Sequence, residues 1–210
     1  MDGNRRFAKF LNQDVVKGHL YGEKKLRELL SWCKEKEIRE LTVYALSLQN
    51  FNRPKNEFEY LMKLFEKTAT NELKKENNEL KINFVGRTHL LPKPIQSKIN
   101  IIHEKTKTNK PYTLNVALAY GGREEILDAI KKIDDPKKIT EEEFTNLLEV
   151  KTEPDLIIRT GKEKRISNFL IWQISYSELI FVDKYWPEFS KEDFEQCIEE
   201  FSKRERRRGK

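Results

Sequence analysis

The sequence predicts an α/β fold: one domain spanning residues 1–210, with a central parallel sheet of about six strands flanked by helices. Three observations predict it. Short apolar runs recur along the chain without polar alternation, as in strands buried on both faces. Between them lie longer segments whose apolar residues fall at helical spacing. Glycine, serine and arginine collect just after the apolar runs, where ligands gather in such a sheet.

In chain order, Leu26, Leu29, Leu30 and Cys33 mark a helix over 22–36. Leu41 to Leu46 (LTVYAL) is a β-branched and aromatic run that predicts a buried strand. After Pro54, Phe58, Leu61, Met62, Phe65 and Ala69 share one helical face. KINFVG at 81–86 predicts a strand and 92–107 a helix. LNVALAY at 114–120 is a third strand, ended by Gly121 and Gly122, and Ile126, Leu127, Ile130 and Ile133 mark the helix after it. Thr140 with Glu143 has the spacing of a capping box, which opens a further helix. DLIIRT (155–160) and ELIFVD (178–183) complete the strands, and Ser190 is placed to cap a last helix leading into the tail from Lys203 to Lys210. Neither an internal repeat nor a low-complexity linker interrupts this series.

The net charge of +6, with 36% of residues charged, favours anionic partners: nucleic acid, phosphorylated metabolites or an acidic membrane face. The sequence contains no stretch of eighteen uncharged apolar residues and opens on no basic-then-apolar leader, so a cytoplasmic protein is expected. Cys33 and Cys197 both sit in helical apolar patterns and are expected to be small core residues.

Three clusters carry candidate chemistry. Asp2, Gly3, Asn4, Arg5, Arg6 and Phe7 set a carboxylate, a permissive glycine, an amide and two guanidinium groups at the start of a helix. Such a set suits a metal–diphosphate, although DGN is also an ordinary turn. Ser47, Gln49, Asn50, Phe51 and Arg53 follow the first strand directly; a helix cap is the competing reading, and capping is compatible with ligand binding. Arg159 and Arg165, with Ser167 two residues on, can grip a diphosphate from two sides, where the alternative is a solvated charged loop. Glu178 opens an apolar strand, where a buried carboxylate needs a metal ion or an arginine beside it.

Taken in order, MDGNRRFAK, Gly18-His19, YALSLQNFNRPKNE, LNVALAYGGREEI, the block from Asp155 to Phe189 and RERRRG resemble the cis-prenyltransferases over essentially the whole chain. The likeness is to the undecaprenyl-diphosphate-type synthases of bacteria and archaea. It implies a Mg2+-dependent transferase that adds isopentenyl diphosphate units to an allylic diphosphate primer, farnesyl or geranylgeranyl diphosphate. A long polyprenyl diphosphate for glycosyl-carrier lipid would be the product, held in an apolar tunnel for which Leu26, Leu30, Phe58, Met62 and Phe65 are candidates.

Residue by residue, the resemblance makes Asp2 the magnesium-binding catalytic aspartate, and gives Ser47 and Asn50 roles at the reacting centre. It assigns Gly3, Asn4, Arg5, Arg6, Phe7 and His19 to the allylic diphosphate. Phe51, Arg53 and Glu57 match a loop closing over the substrates. Arg159, Arg165 and Ser167 match the isopentenyl diphosphate pocket, and Glu178 a second metal carboxylate. Arg207 and Gly209 match an element reaching into the neighbouring subunit, so a self-sufficient homodimer is implied. Transient contact with a membrane surface is expected from so apolar a product.

Some positions depart from the family pattern. An apolar strand ending in His-x-x-x-Met usually precedes the aspartate, so the family's first strand is missing from this sequence and an additional N-terminal strand is expected of the native chain. The S-x-E-N-W pattern becomes Ser47-Leu48-Gln49-Asn50-Phe51, and Lys162 replaces a small residue before Glu163. Asp134-Asp135 is followed by Pro136-Lys137-Lys138, not DDxxD, which argues against the trans-prenyltransferases. Nucleic-acid binding is not expected, because the aromatics lie inside apolar runs and the conspicuous arginines at strand ends. A non-catalytic partner subunit is disfavoured because Asp2, Arg159, Arg165 and Ser167 are all present.

Overall fold

A computed structural model of the chain describes residues 1–76 and 78–205. The elements run α1 (Asn4–Phe10), α2 (Val15–Glu35), β1 (Glu40–Ser47), α3 (Lys55–Leu73), β2 (Leu80–Val85), α4 (Lys93–Thr106), β3 (Tyr112–Tyr120), α5 (Gly122–Ile130), α6 (Glu141–Leu147), β4 (Leu156–Arg159), β5 (Glu178–Phe181) and α7 (Lys191–Ser202). A 3-10 turn, Leu48–Asn52, follows β1. They fall into two compact units, one of residues 30–121 and the other of 1–29 with 122–210.

In the unit of residues 30–121, three parallel strands run in the order β1-β3-β2. The central β3 is the most apolar run in the chain, and six of its nine residues are buried. Leu46 and Leu118 of the sheet pack with Leu61 and Met62 of α3 and with Ile95 and Ile99 of α4, and Phe51, Phe58 and Phe65 lie against the same cluster. Register is pinned by a polar row, since Thr42 and Asn83 stand opposite Asn115 from either side. The Asn115 amide donates to Thr42 Oγ1 at 3.1 Å and to Glu40 Oε1 at 2.8 Å, and accepts from Asn83 at 2.9 Å. A slip of either edge strand would leave buried Asn115 without these partners.

The other unit holds the short parallel pair β4-β5, aligned Leu156 with Glu178 and Arg159 with Phe181. Its core joins Ala129 of α5, Phe144 of α6 and Leu148, with the Phe144 and Trp172 rings 4.5 Å apart. Buried Glu125 ties this core together, accepting from the Glu149 amide at 3.0 Å and from Gln173 Nε2 at 3.1 Å.

The predicted capping box, Thr140 with Glu143, is present, and Ser190 caps the last helix as expected, in a box completed by Asp193. The five predicted strands form, but as a sheet of three and a sheet of two where one sheet of about six was expected. The helix predicted from Gly22 begins at Val15, where Asp14 Oδ1 accepts from the Val16 amide at 3.0 Å. Gly18 and Gly22 both lie inside α2. Cys33 and Cys197 are buried, and burial pushes their thiols up to about 12 and about 11. No helix among the described residues is long and apolar enough to cross a membrane.

Candidate active site

The turn Asp2-Gly3 enters α1 with Gly3 at φ 109 as the N-cap residue. Two features of α2 brace it. A Cβ on Gly18 would stand 2.1 Å from the Asn4 carbonyl oxygen, and one on Gly22 would stand 2.4 Å from Asn4 Oδ1. The bare faces of these glycines, four residues apart, therefore let α1 lie directly on α2. On the other side the Trp186 amide donates to the Asp2 carbonyl at 2.9 Å, and Trp186 Nε1 donates to the Gly22 carbonyl at 2.9 Å. The Thr160 hydroxyl also donates to the Asp2 carbonyl, at 3.0 Å.

So braced, the Asp2 carboxylate receives two guanidinium groups. Arg6 NH2 donates to Oδ1 at 3.0 Å, and Arg159 NH2, at the end of β4, donates to Oδ2 at 2.9 Å. Burial pushes the Asp2 carboxyl up, but the hydrogen bond from Arg159 and the charge of Arg6 outweigh it and hold the group below its ordinary value. Gly161 makes room for the approach: at φ +96, a Cβ there would lie 2.8 Å from Asp2 Cγ and 2.9 Å from Arg6 NH2.

Arg159 is the hub of the cluster. Its NH1 donates to Ser167 Oγ at 2.8 Å and to the Arg165 carbonyl, while its Nε, buried, has no hydrogen-bond partner among the described residues. Glu163 bridges Arg6 at 3.1 Å and Arg165 at 2.6 Å. A buried guanidinium N–H without an acceptor, in a nest of cations balanced by only two carboxylates, suits an oxyanion ligand.

Of the residues picked from sequence, Asp2, Arg6, Arg159, Arg165 and Ser167 are thus brought together. Asn4 has its Oδ1 buried against Gly22 without a hydrogen-bond partner among the described residues. Arg5 is exposed, His19 is buried on α2, and Phe7 sets its ring edge-on to Tyr21 with centroids 5.6 Å apart. Glu178 stands level with Leu156, at the opposite end of the two-stranded sheet from Arg159, and its carboxylate pairs with Arg204 at 2.5 Å. Its neighbour is an arginine, one of the two partners expected for this carboxylate from the sequence. Among the described residues no cluster of three metal-ligating side chains exists. Arg207 and Gly209 lie outside the described residues.

In the unit of residues 30–121, the second cluster is built on a cap. Asn50 Oδ1 accepts from the Ser47 amide at 3.2 Å, which closes the 3-10 turn after β1. Arg53 NH1 donates to Glu57 Oε1 at 3.1 Å, and Glu57 is buried on α3. The Phe51 and Phe58 rings lie 5.0 Å apart.

Sequence reasoning missed Thr160, Gly161, Glu163, Tyr185 and the α2 glycines. Thr160 and Gly161 were signalled by their place at a strand end, and Gly18 and Gly22 by a four-residue spacing that sets two glycines on one helical face.

This architecture and these residues match known proteins along the whole chain. The family model described as "Putative undecaprenyl diphosphate synthase" matches residues 1–209. The chain belongs to the undecaprenyl diphosphate synthase family of cis-prenyltransferases. This prenyltransferase is 48% identical, over 223 aligned residues, to the tritrans,polycis-undecaprenyl-diphosphate synthase (geranylgeranyl-diphosphate specific) of Pyrococcus horikoshii, covering 100% of this chain and 84% of that one. Its structure superposes with a TM-score of 0.92 on lavandulyl diphosphate synthase from Lavandula x intermedia in complex with dimethylallyl diphosphate, at 32% identity over 100% and 95% of the two chains. A probable undecaprenyl diphosphate synthase from Campylobacter jejuni gives 0.83 at 35% identity, over 90% and 92%. The prenyltransferase is accordingly an enzyme of polyprenyl diphosphate synthesis.

Proposed function

We propose that this prenyltransferase condenses isopentenyl diphosphate units onto an allylic diphosphate primer, with geranylgeranyl diphosphate preferred over farnesyl diphosphate, to make a long-chain polyprenyl diphosphate for glycosyl-carrier lipid. One observation carries the reading: Arg6 and Arg159 converge on Asp2, with Ser167 on the same guanidinium as Asp2. The primer preference rests on the relatives' specificity for geranylgeranyl diphosphate.

Asp2 fits Mg2+ by its chemistry, since that ion takes one or two carboxylates and completes its shell with water and substrate phosphate oxygens. When bound by Asp2, the ion would neutralise charge on the leaving diphosphate. The chain's own side chains supply the rest. Arg6 and Arg159 release the carboxylate in part and turn their N–H groups to the diphosphates, and the orphan Nε of Arg159 gains an acceptor. Ser167 Oγ, already fixed by Arg159 at 2.8 Å, orients one phosphate oxygen. As the allylic carbon–oxygen bond breaks, the double bond of isopentenyl diphosphate attacks that carbon, and loss of a proton sets the new double bond in the cis configuration. Ser47 and Asn50 act at the reacting centre, while Phe51, Arg53 and Glu57 belong to a loop that closes over the substrates. Of the tunnel candidates, Phe58, Met62 and Phe65 share one apolar cluster, the candidate lining for the growing tail.

In this reading the enzyme is a cytoplasmic homodimer whose Arg207 and Gly209 serve the neighbouring subunit's isopentenyl site, and its apolar product brings it transiently to a membrane surface. The test is incorporation of radiolabelled isopentenyl diphosphate into butanol-extractable product by the purified protein with Mg2+, offered each primer in parallel. Long product that forms best on geranylgeranyl diphosphate, and vanishes with chelator or with Asp2→Ala, is expected. A folded protein that makes no product from either primer overturns the proposal.

A further inference from the structure

Two cations stand over one aromatic ring beside Asp2. Arg6 Cζ is 5.5 Å from the centroid of Tyr185, and Lys162 Nζ is 5.2 Å from it. The ring is rigidly seated: a Cβ on Gly3 would lie 2.9 Å from Tyr185 Cα, Cβ and Cδ1, and the next residue, Trp186, holds the Asp2 carbonyl at 2.9 Å. Arg6 therefore answers to three groups, namely Asp2, Glu163 and the ring.

Lys162 differs from the arginines around it. Arg6, Arg159 and Arg165 each contact a carboxylate, whereas Lys162 has no carboxylate partner among the described residues. Its backbone is left-handed, at φ 64, a conformation that glycine adopts freely and that a β-carbon disfavours. The chain thus carries a lysine where glycine would be less strained, a conformation that persists because the surrounding structure holds it. The ring quadrupole holds the ammonium in place without neutralising its charge, as a carboxylate would. A cation held that way stays available to an anion.

We propose that Lys162 is a further diphosphate-binding residue of this site, and that Tyr185 is a positioning residue whose ring places Lys162 and Arg6 together for the same diphosphate. The inference rests on the reading that Arg6 and Arg159 receive a diphosphate.

Inorganic pyrophosphate, titrated calorimetrically into the full chain with chelator present, is the probe, followed by steady-state kinetics with both substrates. Lys162→Gly should weaken pyrophosphate binding and raise KM about three- to tenfold with kcat little changed. The same substitution should raise the melting temperature, because it relieves the left-handed backbone. Tyr185→Leu should weaken binding to a similar degree, Tyr185→Phe should restore it, and Lys162→Gly with Tyr185→Leu should lose less than the sum of the two. Wild-type affinity and KM in Lys162→Gly would overturn the assignment of Lys162. A Tyr185→Leu enzyme that loses only melting temperature would make the ring a brace and overturn its positioning role. Wild-type protein that neither binds pyrophosphate nor forms product would overturn the diphosphate reading beneath, a result distinct from an active wild type whose variants are unchanged.

Discussion

Asp2 and Arg159, one at the start of α1 and the other at the end of β4, meet through a 2.9 Å hydrogen bond between Oδ2 and NH2. Arg6 holds the second carboxylate oxygen at 3.0 Å, so both oxygens of Asp2 are engaged by the guanidinium groups that the proposed diphosphates would also claim. The carboxylate and an incoming diphosphate are therefore rivals for the same N–H donors, and Asp2 affects metal-free anion binding and turnover with opposite sign.

Asp2→Asn tests that rivalry. Without the metal, removing the negative charge frees Arg6 and Arg159 for phosphate oxygens, and inorganic pyrophosphate should bind about three- to tenfold more tightly in the presence of chelator. With Mg2+ and both substrates, turnover should fall by about a hundredfold or more, the usual loss when a charge-stabilising group is removed from a transition state. Calorimetry and the radiolabel assay on the same preparation read the two signs. Weaker pyrophosphate binding in Asp2→Asn would show that Asp2 organises the arginines rather than competing for them.

Arg159→Lys keeps the charge and loses the fork. A guanidinium serves Asp2, Ser167 and the Arg165 carbonyl at once, whereas a single ammonium cannot span the same three acceptors. KM for isopentenyl diphosphate should rise about tenfold, and urea unfolding should show a loss of about 1–3 kcal/mol for the broken hydrogen bonds, of which the one to Asp2 is part-buried. An unchanged KM would mean that charge alone is what the site uses.

The α2 glycines separate backbone from side-chain placement. A methyl at Gly18 would press on the Asn4 carbonyl oxygen at 2.1 Å, which only a shift of α1 relieves. One at Gly22 meets Asn4 Oδ1 at 2.4 Å, and rotation of a short side chain partly relieves that. Gly18→Ala should accordingly cost about 2–4 kcal/mol in denaturant unfolding and abolish turnover with it, while Gly22→Ala costs about 1–2 kcal/mol. Turnover by Gly22→Ala should fall further than its stability does, because Asn4 is displaced from the turn that carries Asp2. Equal stability losses in the two variants would contradict the geometry.

How much of this was legible beforehand depended on the range of the interaction. The strands LTVYAL, KINFVG and LNVALAY announce themselves through local composition, Thr140 announces a cap through its three-residue spacing to Glu143, and Ser190 through its place before the last helix. Arg159, Arg165 and Ser167 were legible as a cluster because the arginines stand six residues apart in one loop, with the serine two residues on. The meeting of Arg159 with Asp2, at a separation of 157 residues, follows from no local pattern. Glu178 shows the limit of residue-type reasoning: a carboxylate before an apolar run asks for a cationic neighbour, and Arg204 answers it as well as a metal would. The division into a three-stranded and a two-stranded sheet was not legible, since a strand's apolar run does not say which strand lies next to it. Tyr185 was hidden for a different reason, because an aromatic beside Trp186 reads as core until the cations over its ring are seen.

The last prediction concerns the cap of α7, close in sequence to Tyr185. Asp193 stands at its third position, accepts from the Ser190 amide at 2.9 Å and pairs with Lys184 at 2.8 Å. Burial pushes its carboxyl up, but the Lys184 ammonium and the Ser190 donors outweigh that and hold it below the ordinary value. A folded-state pKa below the unfolded one, about 3.9, means that the charged form stabilises the fold. That contribution is complete above the unfolded value and is lost as pH falls through the folded one. Urea unfolding of wild type and Asp193→Asn should therefore show a stability gap that is constant from about pH 7 to pH 5 and narrows below about pH 4. Ser190→Ala should cost about 1 kcal/mol at neutral pH, as an N-cap hydroxyl does elsewhere. A gap that persists unchanged to about pH 3 would mean that Asp193 acts by shape and not by charge, because its protonated form would then stabilise the cap as well as its ionised one.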